Sequence, residues 1–215
     1  MTRQHHSHHP VMHKAPVGYR PTRGFEHVHH HWDAMAGSWI VQILPGEFYV
    51  TERDEIIATV LGSCVSTCIR DRNTGLGGMN HFMLPEDPRK DAGGDAMRYG
   101  CFALERLINE LIKRGAERDQ LQIKVFGGGQ VIASMTDIGR SNVDFVRNYL
   151  GDEGLSAEVE DVGGPWARRL RYFPASGKVL VKHLPMGEAT KVRTQEEVFR
   201  AKLKNERHVG EIELF

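Results

Sequence analysis

Leu61-Gly62-Ser63-Cys64-Val65 and Gly77-Gly78-Met79-Asn80-His81-Phe82-Met83-Leu84-Pro85 frame the stretch that decides how this chain folds. Val65 to Asp71 and Leu76 to Leu84 have strand composition, and Arg72-Asn73-Thr74-Gly75 between them is turn chemistry, with a glycine able to take positive φ. The pattern predicts an antiparallel hairpin. With Asp71 opposite Leu76, Ser66 faces His81 and Cys64 faces Met83. Cys64 and His81 then become diagonal neighbours on one face, about 7 to 8 Å apart by backbone. A slip of one residue would put them on opposite faces.

Upstream of the hairpin, Trp39 to Leu44, Glu47 to Thr51 and Glu55 to Leu61 read as strands, separated by Pro45-Gly46 and by Glu52-Arg53-Asp54. Downstream, Asp95 to Arg114 carries Met97, Cys101, Leu104, Leu107, Ile108, Leu111 and Ile112 at helical spacing, with Gly115 as its stop. Leu121 to Phe126 is a buried strand running into Gly127-Gly128-Gly129, and Asn142 to Leu150 a short helix. Ser156 to Val162 is a further strand, and Arg169 to Phe173 with Lys178 to Leu184 a second hairpin. Thr194-Gln195-Glu196-Glu197 has the form of a capping box and predicts a helix to about Asn205, with Val209 to Phe215 as a tail or edge strand. This order of elements is compatible with an α/β protein.

The 215 residues, 40% apolar and 26% charged, suit one domain with appendages. Basic and acidic residues balance at 28 each, which gives no overall field toward nucleic acid or anionic lipid. The small basic spot Trp166-Ala167-Arg168-Arg169 reads as solvated surface. No stretch is long and apolar enough for a membrane span, so the expected location is cytoplasmic, without membrane insertion. Three cysteines, Cys64, Cys68 and Cys101, make no paired framework and suit a reducing compartment. Residues 1–37 hold nine of the twelve histidines, His5, His6, His8, His9, His13, His27, His29, His30 and His31, without helical or strand period. Imidazoles suit transition metals, but a disordered, solvated arm is the expectation. The predicted division is this arm (1–37), a core domain (38–187) and a C-terminal helical extension with its tail (188–215).

The chemistry lies with Cys64 and His81. A thiol beside an imidazole can be deprotonated for attack, and the same imidazole can protonate a leaving amine and then activate water. Thr59, Asn80 and Ser63 are the polar candidates to orient the histidine, and the Gly62-Ser63-Cys64 backbone N–H groups could hold an oxyanion. Cys68 and Cys101 read as core. Gly127 to Gly129 lacks the spacing of a nucleotide loop, and it is expected, with Gly163 to Trp166, to border the site.

LGSCV at 61–65, GGMNHFMLP at 77–85, FGGG at 126–129, IGRSN at 138–142, DVGG at 161–164 and GKVLVK at 177–182 together resemble the chemoreceptor glutamine deamidases, the CheD family. The resemblance runs from about Trp39 to Leu184. It implies a single-domain mixed-sheet α/β sandwich of the CheD and toxin-deamidase type. It also implies hydrolysis of glutamine side chains on methyl-accepting chemotaxis receptors without a cofactor or metal, with Cys64 as nucleophile, His81 as acid and base, and Thr59 as the third catalytic residue. The family's threonine can stand six positions before the cysteine, where this chain has Ala58. A CheC-type phosphatase is an implied partner. The competing expectations are a methylesterase side activity and a non-catalytic adaptor that binds the receptor or the phosphatase.

Overall fold

The computed structural model describes residues 12–84, 95–131 and 136–209. Among these residues, ten strands form two five-stranded mixed sheets. The first has the order β1 (His29–Asp33), β2 (Ser38–Gln42), β4 (Ile56–Leu61), β9 (Ala167–Phe173) and β10 (Lys178–Leu184). The second has the order β3 (Phe48–Thr51), β6 (Gly77–Asn80), β5 (Val65–Asp71), β7 (Leu121–Gly127) and β8 (Val159–Val162). β2 runs parallel to β4 and β7 parallel to β8, while the remaining neighbours are antiparallel.

Both sheets contribute to one core, which includes Val41, Ile57, Leu61, Leu170 and Tyr172 from the first and, from the two faces of the second, Cys68 and Met79 on one and Ile69 and Val125 on the other. Helices α1 (Asp95–Lys113) and α2 (Thr136–Asp152) pack on the second sheet, which is why β5 and β6 are buried almost throughout. The first sheet has a separate small cluster of Ile40, Ile56 and Ala58. Alternation along β4 therefore assigns Ile57, Thr59 and Leu61 to the shared core and Ala58 to the opposite face. A third helix, α3 (Met186–Val209), follows Pro185 and contacts β9.

The hairpin keeps the expected register: Arg70 faces Gly77 and Cys68 faces Met79, and a bridge between Val65 and Phe82 continues the same count. Between these points the ladder opens. The Asn80 side-chain oxygen accepts the Thr67 N–H at 2.8 Å, while His81 exchanges backbone bonds with the β2–β3 connection, its N–H to Glu47 O and its carbonyl from Gly46 N–H. β6 is thus shorter than the predicted Leu76–Leu84.

Three other elements differ from the sequence expectation. The His-rich arm is ordered over its described part: Tyr19 stacks on Trp39 with ring centroids 3.8 Å apart, Phe25 and Val28 enter the core, and β1 extends the first sheet. Its anchors are irregularly spaced, so no period betrays them. Residues 1–11, with His5, His6, His8 and His9, lie outside the described residues, as do 210–215 of the predicted tail. α2 begins at Thr136 rather than Asn142, because Gly139 is not a break; a Cβ there would lie 2.6 Å from the Gly128 carbonyl oxygen. α3 begins at Met186, so Thr194 is interior, its hydroxyl bonded back to the Thr190 carbonyl, and it caps nothing.

Candidate active site

Cys64 lies where the chain leaves β4 in the first sheet and enters β5 in the second, so the 62–64 loop crosses between the layers. All three of its carbonyls are tied down. Gly62 O accepts from Gly129 N–H and Cys64 O from Gly128 N–H, both at 2.7 Å, and Ser63 O accepts from the Asn142 side-chain amide at 2.8 Å. The approach of the glycine loop is very close: Gly127 has φ +114°, and a Cβ on it would lie 2.2 Å from Cys64 O. Only glycine fits there. With its carbonyls fixed in this way, the loop turns the Gly62, Ser63 and Cys64 N–H groups to one shared acceptor.

The acceptor is the Glu196 carboxylate of α3. Oε1 receives Gly62 N–H at 2.8 Å and Cys64 N–H at 3.1 Å; Oε2 receives Ser63 N–H and Ser63 Oγ–H, both at 2.8 Å. Glu196 is buried, and its four donors are uncharged. A buried carboxylate normally needs a counter-ion or several hydrogen bonds to offset lost hydration, and this loop supplies the second.

His81 is held on the other side. Thr59 Oγ–H donates to Ile43 O at 2.9 Å, which uses its only proton, so the 2.8 Å contact with His81 Nδ1 must be Nδ1–H donating to Thr59. The imidazole is therefore the Nδ1–H tautomer. Among the described residues its buried Nε2 has no hydrogen-bond partner and carries the free lone pair. Cys64 Sγ, one His81 ring nitrogen and one Glu196 oxygen all lie within 4.8 Å of one another. That trio has metal-ligand types, but both carboxylate oxygens already accept two hydrogen bonds each, so the geometry is that of an anion pocket and not of a cation cage.

Electrostatics keep the pair neutral in this arrangement. Burial, then the charge of Glu196, pushes the Cys64 thiol well up. Burial lowers His81 to about 4 against a smaller opposing pull from Glu196. Cys68 is raised by burial alone and sits in the core.

Of the residues singled out in the sequence, the structure brings Cys64, His81, Thr59 and Ser63 together. Asn80 sits one residue before His81, but its side chain repairs the β5–β6 ladder. Two further residues belong to the site without having been expected from the sequence. Asn142 is fully buried and joins Leu84 N–H to Ser63 O at 2.8 Å each, so it fastens the strand end beyond His81 to the cysteine loop. Its signal was the IGRSN motif, a polar residue within an apolar helix face. Glu196 had no local signal pointing to the cysteine. The loops 127–130 and 163–166 are joined, Gln130 N–H to Gly164 O and Gly163 N–H to Gly127 O. Arg168 of the basic spot is buried, its guanidinium bound to Asp161 and to the Trp166 and Gly163 carbonyls, and so serves structure.

A thiol, an imidazole of fixed tautomer and a pocket of backbone N–H groups between two crossing sheets are the parts of a cysteine-dependent acyl-transfer site. The family model for CheD chemotactic sensory transduction matches residues 83–183. Similar proteins include the probable chemoreceptor glutamine deamidase CheD of Hahella chejuensis, 43% identical over 89% of this chain and 92% of that protein. The corresponding protein of Methylobacillus flagellatus is 48% identical over 81% and 88%, and that of Cupriavidus metallidurans 54% identical over 70% of each. The chain belongs to the CheD family. A solved structure, the Bacillus licheniformis protein YfiH, aligns over 53% of this chain and 49% of that one at 14% identity and a TM-score of 0.35, too distant a likeness to bear on the fold.

Proposed function

We propose that this protein hydrolyses glutamine side-chain amides of methyl-accepting chemotaxis receptors to glutamates, with release of ammonia. The observation that carries this reading is the convergence of the Cys64 thiol and the His81 imidazole on a pocket whose donors already hold a glutamate side chain. His81 Nε2 takes the thiol proton as Sγ bonds to the amide carbon, and the N–H groups of residues 62–64 receive the developing oxyanion. Nε2–H then protonates the departing nitrogen, the C–N bond breaks and ammonia leaves a thioester. Nε2 next accepts a proton from water as its oxygen attacks. The C–S bond breaks, the thiol regains its proton and glutamate remains. Thr59 acts as a positioning residue through His81 Nδ1, and Ser63 contributes its N–H and hydroxyl to the pocket.

No helix among the described residues is long and apolar enough to cross a membrane. A cytoplasmic site of action follows from the proposed substrate, the signalling portion of a receptor. A CheC-type phosphatase is proposed as a regulatory partner on the family resemblance.

Mass spectrometry of a receptor cytoplasmic domain after incubation tests the reading. Wild-type protein is expected to add about 1 Da at particular glutamines, the change from amide to acid, and Cys64→Ala to add none. Conversion by a folded Cys64→Ala protein would remove the thiol mechanism.

A further inference from the structure

The nucleophile is covered by the protein's own C-terminal helix. Along α3 the buried positions Val192, Glu196, Phe199 (partly) and Leu203 recur at steps of four, three and four, which places one acidic residue in the middle of an otherwise apolar face. Phe199 lies against the β2–β3 connection, where a Cβ on Gly46 would come within 2.8 Å of its ring, and that same connection holds the His81 backbone. Gly62 leaves room for the carboxylate; a Cβ there would stand 2.7 Å from Glu196 Oε2. The pocket is set from behind by Gly128, Gly129 and Asn142, none of them on α3. The other buried or half-buried described residues on this face, Val192, Phe199 and Leu203, are apolar, whereas all four donors of the pocket go to the Glu196 carboxylate.

We propose that α3 is a built-in product analogue. It lies in the groove that takes the helical substrate segment, and the Glu196 carboxylate stands where the glutamate formed by the reaction stands. The occupant identifies the chemistry of the natural ligand: an α-helix that projects a glutamine or glutamate side chain from the middle of an apolar stripe. In this docked state Cys64 and His81 are both buried, so a receptor helix enters only when α3 leaves. The resting protein is accordingly self-inhibited, and its apparent affinity for the receptor is reduced by the fraction of molecules with α3 docked. The inference rests on the deamidase reading.

Two full-length variants test it. Glu196→Ala removes the internal competitor and is expected to lower the apparent KM for a receptor segment several-fold. Glu196→Gln converts the analogue into a substrate. Its amide is expected to be hydrolysed through the Cys64 thioester, with uptake of one water and loss of one ammonia, so that the peptide bearing residue 196 returns to the wild-type mass. The double variant with Cys64→Ala keeps the glutamine mass. Either a lowered KM or Cys64-dependent recovery of the glutamate mass supports the proposal. If neither occurs in protein whose wild type converts the receptor segment, α3 is not a product analogue and the deamidase reading stands. If neither the wild type nor either single variant converts receptor or residue 196, the deamidase reading itself fails.

Discussion

One hydroxyl decides how the imidazole can act. Because the Thr59 proton is committed to Ile43 O, His81 Nδ1–H has a fixed acceptor and Nε2 keeps its lone pair for the proposed proton exchange with the thiol. A Thr59→Val protein keeps the shape but leaves Nδ1–H and Ile43 O unpaired in a buried site, and the ring loses its preferred tautomer. The expected result is a drop in kcat of about a hundredfold, toward the low end of what a positioned base contributes. Thr59→Ser should recover most of it, and single-turnover deamidation of a receptor segment measures both. Much of this residue-scale picture was legible in the sequence. Period-two alternation along the hairpin put Cys64 and His81 on one face, and alternation in β4 explains why Thr59 reaches His81 and Ala58, on the opposite face, does not. Glu196 was illegible because its partners are 132 to 134 positions away in the chain.

Elements were readable where the information is local and failed where a contact between elements decides. The hairpin register follows from a turn and two strand runs, and the structure has that register. Helix α2 starts six residues before the expected Asn142 and runs through Gly139, whose close approach to the 127–129 loop lies in another element. Likewise, Thr194 to Glu197 had capping-box chemistry, yet the helix had started eight residues earlier, and the glutamate at its centre faces the cysteine loop instead. Asn142 is where α2 acts on the site, since one side chain bridges the end of the histidine strand and the cysteine turn. Asn142→Ala leaves Leu84 N–H and Ser63 O unsatisfied in a buried place. It is expected to cost about 3 kcal/mol, the sum of two modest desolvation penalties, read as a lower urea midpoint at unchanged m-value. Ser63 O is then free to turn, so deamidation should fall more than the folded fraction does.

Across the whole molecule, the site sits at the crossing of two sheets and beneath a helix, and the same burial that shelters the chemistry couples it to stability. Folding lowers His81 to about 4, whereas an unfolded histidine titrates near 6.5. Between these values the unfolded chain binds the proton and the native protein does not, so acidification favours unfolding. Stability tied to this residue is fully present above about pH 6.5. It declines as pH falls toward about 4, and below that it changes no further, for a total on the order of 3 kcal/mol. Other groups titrate in the same range, so the measurement is a difference: denaturant unfolding of wild type and His81→Asn at several pH values. The wild type should lose its advantage over the variant progressively between pH 6.5 and 4, while the variant's own pH dependence lacks that component. Equal pH dependence in the two proteins would mean that the imidazole is not held neutral by burial.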